Sequence, residues 1–175
     1  MNKQESILTI SNVARGEAAM VAVGQALAAV VSAAVQSGGL VFLHGTLGAG
    51  KTTLCRGLVQ ALGHAGAVKS PTYTLVEEYA LPTLTVCHFD LYRLGDPEEL
   101  EYMGIRDYLD GQALCLIEWP EQGAGVLPGA DLEVTITEME DGQARCLTLS
   151  AYTDKANAWL NALCEASAGQ WQEAL

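Results

Sequence analysis

Residues 40–54, LVFLHGTLGAGKTTL, decide how the rest of the chain is read. Leu40-Val41-Phe42-Leu43 is an apolar run with the length and content of a buried strand. It leads into Gly45-Thr46-Leu47-Gly48-Ala49-Gly50-Lys51-Thr52, which satisfies G-x-x-x-x-G-K-[ST] at every specified position. A polyphosphate needs several backbone N–H groups turned inward, and glycines let a loop wrap that closely. The helix that follows points its positive end at the phosphates. Lys51 is then placed to reach the β- and γ-phosphates, and the Thr52 hydroxyl to ligate Mg²⁺. The pattern predicts nucleotide binding; the alternative is a glycine-rich strand-to-helix turn that binds nothing.

Upstream, residues 6–10 alternate loosely and predict an edge-type first strand. Ser11 or Asn12 is placed to cap a helix running to about Gln36, ended by Ser37-Gly38-Gly39. Within it, Ala18 to Val35 is apolar and long enough to raise the question of a membrane span. Alanine dominates the run, Gly24, Gln25 and Ser32 interrupt it, and Glu17 stands where a signal peptide prefers positive charge. A buried helix is the better reading.

Downstream, Leu54, Leu58, Ala61 and Leu62 share one face of a helix over about 51–62, stopped by Gly63. Ser70-Pro71-Thr72-Tyr73-Thr74 is a hydroxyl-rich break before a strand at 74–79. It reads either as an ordinary polar loop or as a switch-like loop near the γ-phosphate. A strand at 84–89 ends in Asp90, and an apolar run at 114–117 ends in Glu118. Carboxylates at strand ends beside a phosphate loop can hold Mg²⁺ directly or through water, or orient the attacking water. The competing readings are a turn cap or an Arg93 partner for Asp90, and a surface position for Glu118. His88 reads as a sheet histidine and not as a ligand.

Asp96-Pro97-Glu98-Glu99 opens another helix. Residues 131–138 and 145–152 alternate in opposite phase about Asp141-Gly142, a hairpin. Asp154 is placed to cap a last helix, and the chain is expected to fray beyond Ala166.

At 175 residues, 50% hydrophobic and 17% charged, the composition suits one globular domain over 1–175, with its core at about 6–165. Nine Lys and Arg against 21 Asp and Glu leave a net charge of −12, which disfavours direct binding of nucleic acid. Five cysteines, at 55, 87, 115, 146 and 164, form no C-x-x-C pair. They are expected to be buried thiols in a reducing cytosol, neither disulfides nor a zinc site. Neither N-K-x-D nor D-x-x-G occurs, so adenine is preferred over guanine by absence. A small-molecule kinase would draw on several arginines around the γ-phosphate, and the chain has five in all. A binding module with incidental hydrolysis is the non-enzymatic alternative.

Taken together, Ser70-Pro71-Thr72-Tyr73, His88-Phe89-Asp90-Leu91-Tyr92-Arg93 and Ile117-Glu118-Trp119-Pro120 resemble the TsaE family, P-loop ATPases of tRNA threonylcarbamoyladenosine synthesis. The resemblance runs from about 40 to about 127 and includes residues 96–108. It implies an α/β fold: a central, mostly parallel sheet flanked by helices, with a C-terminal antiparallel hairpin. It also implies a cytoplasmic, weak, Mg²⁺-dependent ATPase using ATP and ADP, with no membrane role. Its partners would be TsaD and TsaB, which modify adenosine 37 of tRNAs reading ANN codons, so that tRNA is met only through the complex. ATP hydrolysis would reset that complex between turnovers.

By motif, the loop from Gly45 through Leu47, Gly48, Ala49, Gly50, Lys51 and Thr52 to Thr53 would cradle the phosphates. Lys51, Asp90 and Glu118 would serve catalysis, and Thr52, Asp90 and Glu118 the metal. Trp119 would lie close by, and residues 70–74 would form the switch-like loop. The family often has Thr beside the adenine where this chain offers Met20; Arg145 is the substitute candidate for that contact.

Overall fold

The computed structural model describes residues 4–34 and 38–174. Its strands are β1 (Leu8–Arg15), β2 (Gly39–His44), β3 (Val76–Ala80), β4 (Thr85–Asp90), β5 (Leu114–Glu118), β6 (Leu132–Met139), β7 (Ala144–Ala151) and β8 (Gln172–Glu173). The helices are α1 (Gly16–Ala33), α2 (Lys51–Ala61), α3 (Glu98–Tyr102), α4 (Ile105–Tyr108) and α5 (Asp154–Ala166). All eight strands join one sheet in the order β3-β4-β5-β2-β6-β7-β1-β8. The four central strands, β4, β5, β2 and β6, run parallel, and antiparallel strands extend the sheet on both sides. This is a mixed α/β fold with a parallel centre.

Strand alternation divides the interior into two layers. Val41 and Leu43 face a core shared with α1, α2 and α5, whereas Leu40 and Phe42 face a smaller one with Leu100 of α3 and Ile105 of α4. Val86, Leu114 and Leu116 belong to the first layer, and Cys87, Phe89, Cys115 and Ile117 to the second. Helices on both faces are what continuous apolar strands such as β2 and β5 require.

The apolar helix α1 is, by length and composition alone, able to cross a membrane. Here its face of Met20, Val23, Gly24, Leu27, Ala28 and Val31 is buried within the domain. Its packing on α2 depends on close backbone approach. A Cβ at Gly24 would lie 2.2 Å from the Leu54 carbonyl oxygen, and one at Gly57 would lie 2.4 Å from that of Val21.

The structure corrects several boundaries. Ser11 and Asn12 cap nothing: they lie inside β1, whose eight residues all pair with β7, and α1 starts only at Gly16. That helix ends at Ala33; Gln36 and Ser37 lie outside the described residues. Gly39 belongs to β2 rather than to a helix stop. Thr153, not Asp154, caps α5, its Oγ1 accepting the Ala156 N–H at 3.4 Å. The tail does not fray at Ala166: Trp171 is 7% exposed in the main core, and β8 pairs with β1. Of the five cysteines, all unpaired, Cys146 and Cys164 are half-buried rather than buried.

Candidate functional site

The loop between β2 and α2 carries its backbone in a conformation that side chains resist. Gly48 has φ +77°, and Gly50, at the start of α2, has φ +108°. A Cβ on Gly50 would also press on Met20 Cε at 3.1 Å. Lys51, only 5% exposed, folds back so that Nζ donates to the carbonyl oxygens of Gly45 and Thr46, the latter at 3.0 Å. Its Nζ also lies 4.1 Å above the Trp119 ring. Burial pulls the Lys51 pKa below the usual lysine value, against the opposing pull of Glu118 and Asp90.

The parallel pairing of β4 with β5 sets Asp90 and Glu118 side by side as register partners. Both strand ends are buried, Asp90 at 5% and Glu118 at 2% exposure. The Thr52 hydroxyl lies 3.0 Å from each carboxylate oxygen of Glu118. Ser70 donates its hydroxyl to Asp90 Oδ2, with Thr72 farther off at 3.5 Å. Asp90 Oδ1 accepts the Tyr92 N–H at 2.9 Å, so Asp90 also caps a turn. Arg93 lies over the Tyr73 ring, with 4.6 Å from guanidinium to centroid. Trp119, at φ +57°, is a bulky residue held left-handed immediately after Glu118. That twist sets its ring against Tyr92, with centroids 5.0 Å apart, and beneath Lys51.

Two cavities flank the loop. One of about 400 Å³ contains Lys51, Thr52, Ser70, Thr72, Asp90, Glu118, Trp119 and the exposed Leu47. The other, of about 250 Å³, lies between Met20 and the β6–β7 hairpin, with Gly48, Ala49, Gly50 and Thr53 shared between the two. Arg145 lines the second and ties the hairpin to the loop, Nε donating to Ala49 O at 3.1 Å and Nη2 to Gly48 O at 3.4 Å. The loop, Asp90 and Glu118 thus converge on one side, and Arg145 and Met20 stand on the other.

His88 is the sheet histidine that the sequence predicts, inside β4; what the sequence does not show is its contact with Glu118. It is fully buried, and its Nε2 is 2.7 Å from Glu118 Oε2. The available signal was its i, i+2 spacing from Asp90, which puts both on the α2 side of the sheet. Donor atoms of Cys55, His88 and Glu118 lie within 4.8 Å of one another. Burial and the neighbouring Glu118 push the Cys55 thiol pKa well above its usual value, so it sits there as a neutral thiol.

A central strand emptying into a glycine-turned loop, a lysine at the head of α2 and two acids at neighbouring strand ends define a protein of the P-loop type. The family model "Threonylcarbamoyl adenosine biosynthesis protein TsaE" matches residues 14–147, and the chain belongs to the TsaE family. The tRNA threonylcarbamoyladenosine biosynthesis protein TsaE of Haemophilus influenzae is 59% identical over 115 residues, 66% of this chain and 72% of that protein. Its namesake in Bacillus subtilis is 37% identical over 127 residues, 73% of this chain and 78% of that one. The crystal structure of Bacillus subtilis YdiB superposes with a TM-score of 0.75 at 26% identity, covering 90% of this chain and 95% of YdiB.

Proposed function

We propose that this chain is a Mg²⁺-dependent ATPase of threonylcarbamoyladenosine synthesis, binding ATP and ADP and acting in the cytoplasm on TsaD–TsaB to permit repeated turnover. The observation that carries this reading is the meeting of Thr52, Asp90 and Glu118 in the cavity that Lys51 enters. Hydroxyl and carboxylate oxygens are hard donors, the type that Mg²⁺ takes. Thr52 and Glu118 would hold it, with Asp90 beside them as ligand or positioner of water. When bound, Mg²⁺ supplies charge neutralisation across the β- and γ-phosphates.

The remaining steps belong to the chain's own residues. Gly48 to Thr53 direct N–H groups at the phosphates, and Lys51 leaves its loop carbonyls for the β/γ oxygens. Glu118, anchored by neighbours on two elements, orients the water that attacks the γ-phosphorus. Trp119 lines the site beneath Lys51. Ser70 and Thr72, already bonded to Asp90, let residues 70–74 respond to the γ-phosphate. The smaller cavity between Met20 and the hairpin accommodates the base, with Arg145 in its wall. The net charge of −12 supports contact with tRNA through TsaD–TsaB and not directly.

Equilibrium binding of ATP and GTP to the wild-type protein and to Lys51→Ala tests the nucleotide assignment. ATP should bind more tightly than GTP, and Lys51→Ala should lose both while unfolding at a similar temperature. Unchanged ATP affinity in a folded Lys51→Ala protein would defeat the assignment.

A further inference from the structure

His88 precedes Asp90 on β4 by two residues and pairs in register with Leu116, two residues before Glu118 on β5. Its imidazole is fully enclosed, and Nε2 lies 2.7 Å from Glu118 Oε2. The other ring nitrogen, Nδ1, is buried with no hydrogen-bond partner among the described residues. An imidazole that only filled space here would leave a polar atom unpaired for no return, and leucine would fill the place at lower cost. What the ring supplies is therefore its Nε2 side. Thr52 has one hydroxyl hydrogen and two Glu118 oxygens at equal distance, so it can satisfy only one of them at a time.

We propose that His88 is a positioning residue for the cation site: its Nε2–H anchors Glu118 Oε2 and so leaves Oε1 directed at Thr52 and the metal. The proposal rests on the reading of Glu118 as a residue that serves Mg²⁺. Orientation of a ligating carboxylate by a buried donor behind it is a recurrent way of setting metal affinity.

The test is binding of Mn²⁺, standing in for Mg²⁺, to the ADP-loaded full chain, read from the free-ion EPR signal. Wild type is compared with His88→Leu, His88→Gln and Glu118→Gln. Leucine keeps the volume without the donor; glutamine brings an amide N–H toward the same oxygen. His88→Leu should weaken Mn²⁺ binding about tenfold or more, and His88→Gln should recover most of that loss. ADP affinity without metal should stay within about threefold of wild type in both His88 variants, since the second-shell effect is confined to the ion. A purely structural role predicts equal loss in both variants and a parallel loss of metal-free ADP binding. Wild-type Mn²⁺ affinity in His88→Leu, or no rescue by glutamine, overturns the proposal. If Glu118→Gln also binds Mn²⁺ like wild type, the metal reading of Glu118 falls with it; if Glu118→Gln is weakened and His88→Leu is not, only the role of His88 falls.

Discussion

Glu118 is 2% exposed, so its carboxylate depends on the groups around it: Thr52 from α2 and His88 from β4. Glu118→Ala should keep metal-free ATP affinity near that of the wild type while lowering turnover by roughly 100-fold or more, as removal of a proton-handling or water-orienting group does. Binding and single-turnover assays on the same sample separate the two effects. Cys55 makes a second prediction. Its raised pKa means that the folded chain keeps this proton at pH values where the unfolded thiol, near 9.0, has lost it. The folded state then binds more protons than the unfolded, and stability falls as pH rises past the unfolded value. Urea unfolding between about pH 8 and about pH 10 should show wild type losing stability faster than Cys55→Ala. At this scale Asp90 and Glu118 were legible in the sequence, because each ends an apolar run. His88 was legible as a sheet histidine, but its contact with Glu118 was not, because that partner lies on another strand and only register brings them together.

Among elements, α1 and α2 cross at a close backbone approach. Gly24→Ala or Gly57→Ala should destabilise the fold by about 1–3 kcal/mol through overpacking, measured by chemical unfolding. The carbonyl oxygens at 2.2 and 2.4 Å belong to backbone and cannot rotate away. The end of the chain offers a separate case. Trp171 seats in the main core just before β8 pairs with β1. Trp171→Ala should cost roughly 3 kcal/mol, the scale of a buried aromatic removed from a core. A loss within error would mean that the tail contributes nothing. The strands and helices from β2 to β7 were legible in outline from periodicity and from glycine and proline. Two of the misread boundaries share a cause: Ser11 and Asn12, and the tail after Ala166, look local, but pairing with β7 and β1 decides them. Polar residues in a ladder imitate a helix cap when the partner strand lies more than a hundred residues away.

For the whole molecule, the sheet order explains why one loop commands the site. β2 stands between β5 and β6, and β4, β5 and β2 deliver their carboxyl ends to the same edge. Ligands of open α/β sheets bind outside such ends. The loop motif was readable from residues 45–52 alone, whereas the two cavities on either side of it needed the hairpin and α1 to be placed in space. The measurement that bears most directly on the account is steady-state ATP hydrolysis by the pure protein, with and without purified TsaD–TsaB. Slow turnover that rises on adding the heterodimer, and that Glu118→Ala abolishes, is the predicted result. ATP binding and hydrolysis that are absent under both conditions, or turnover indifferent to the heterodimer, would contradict it.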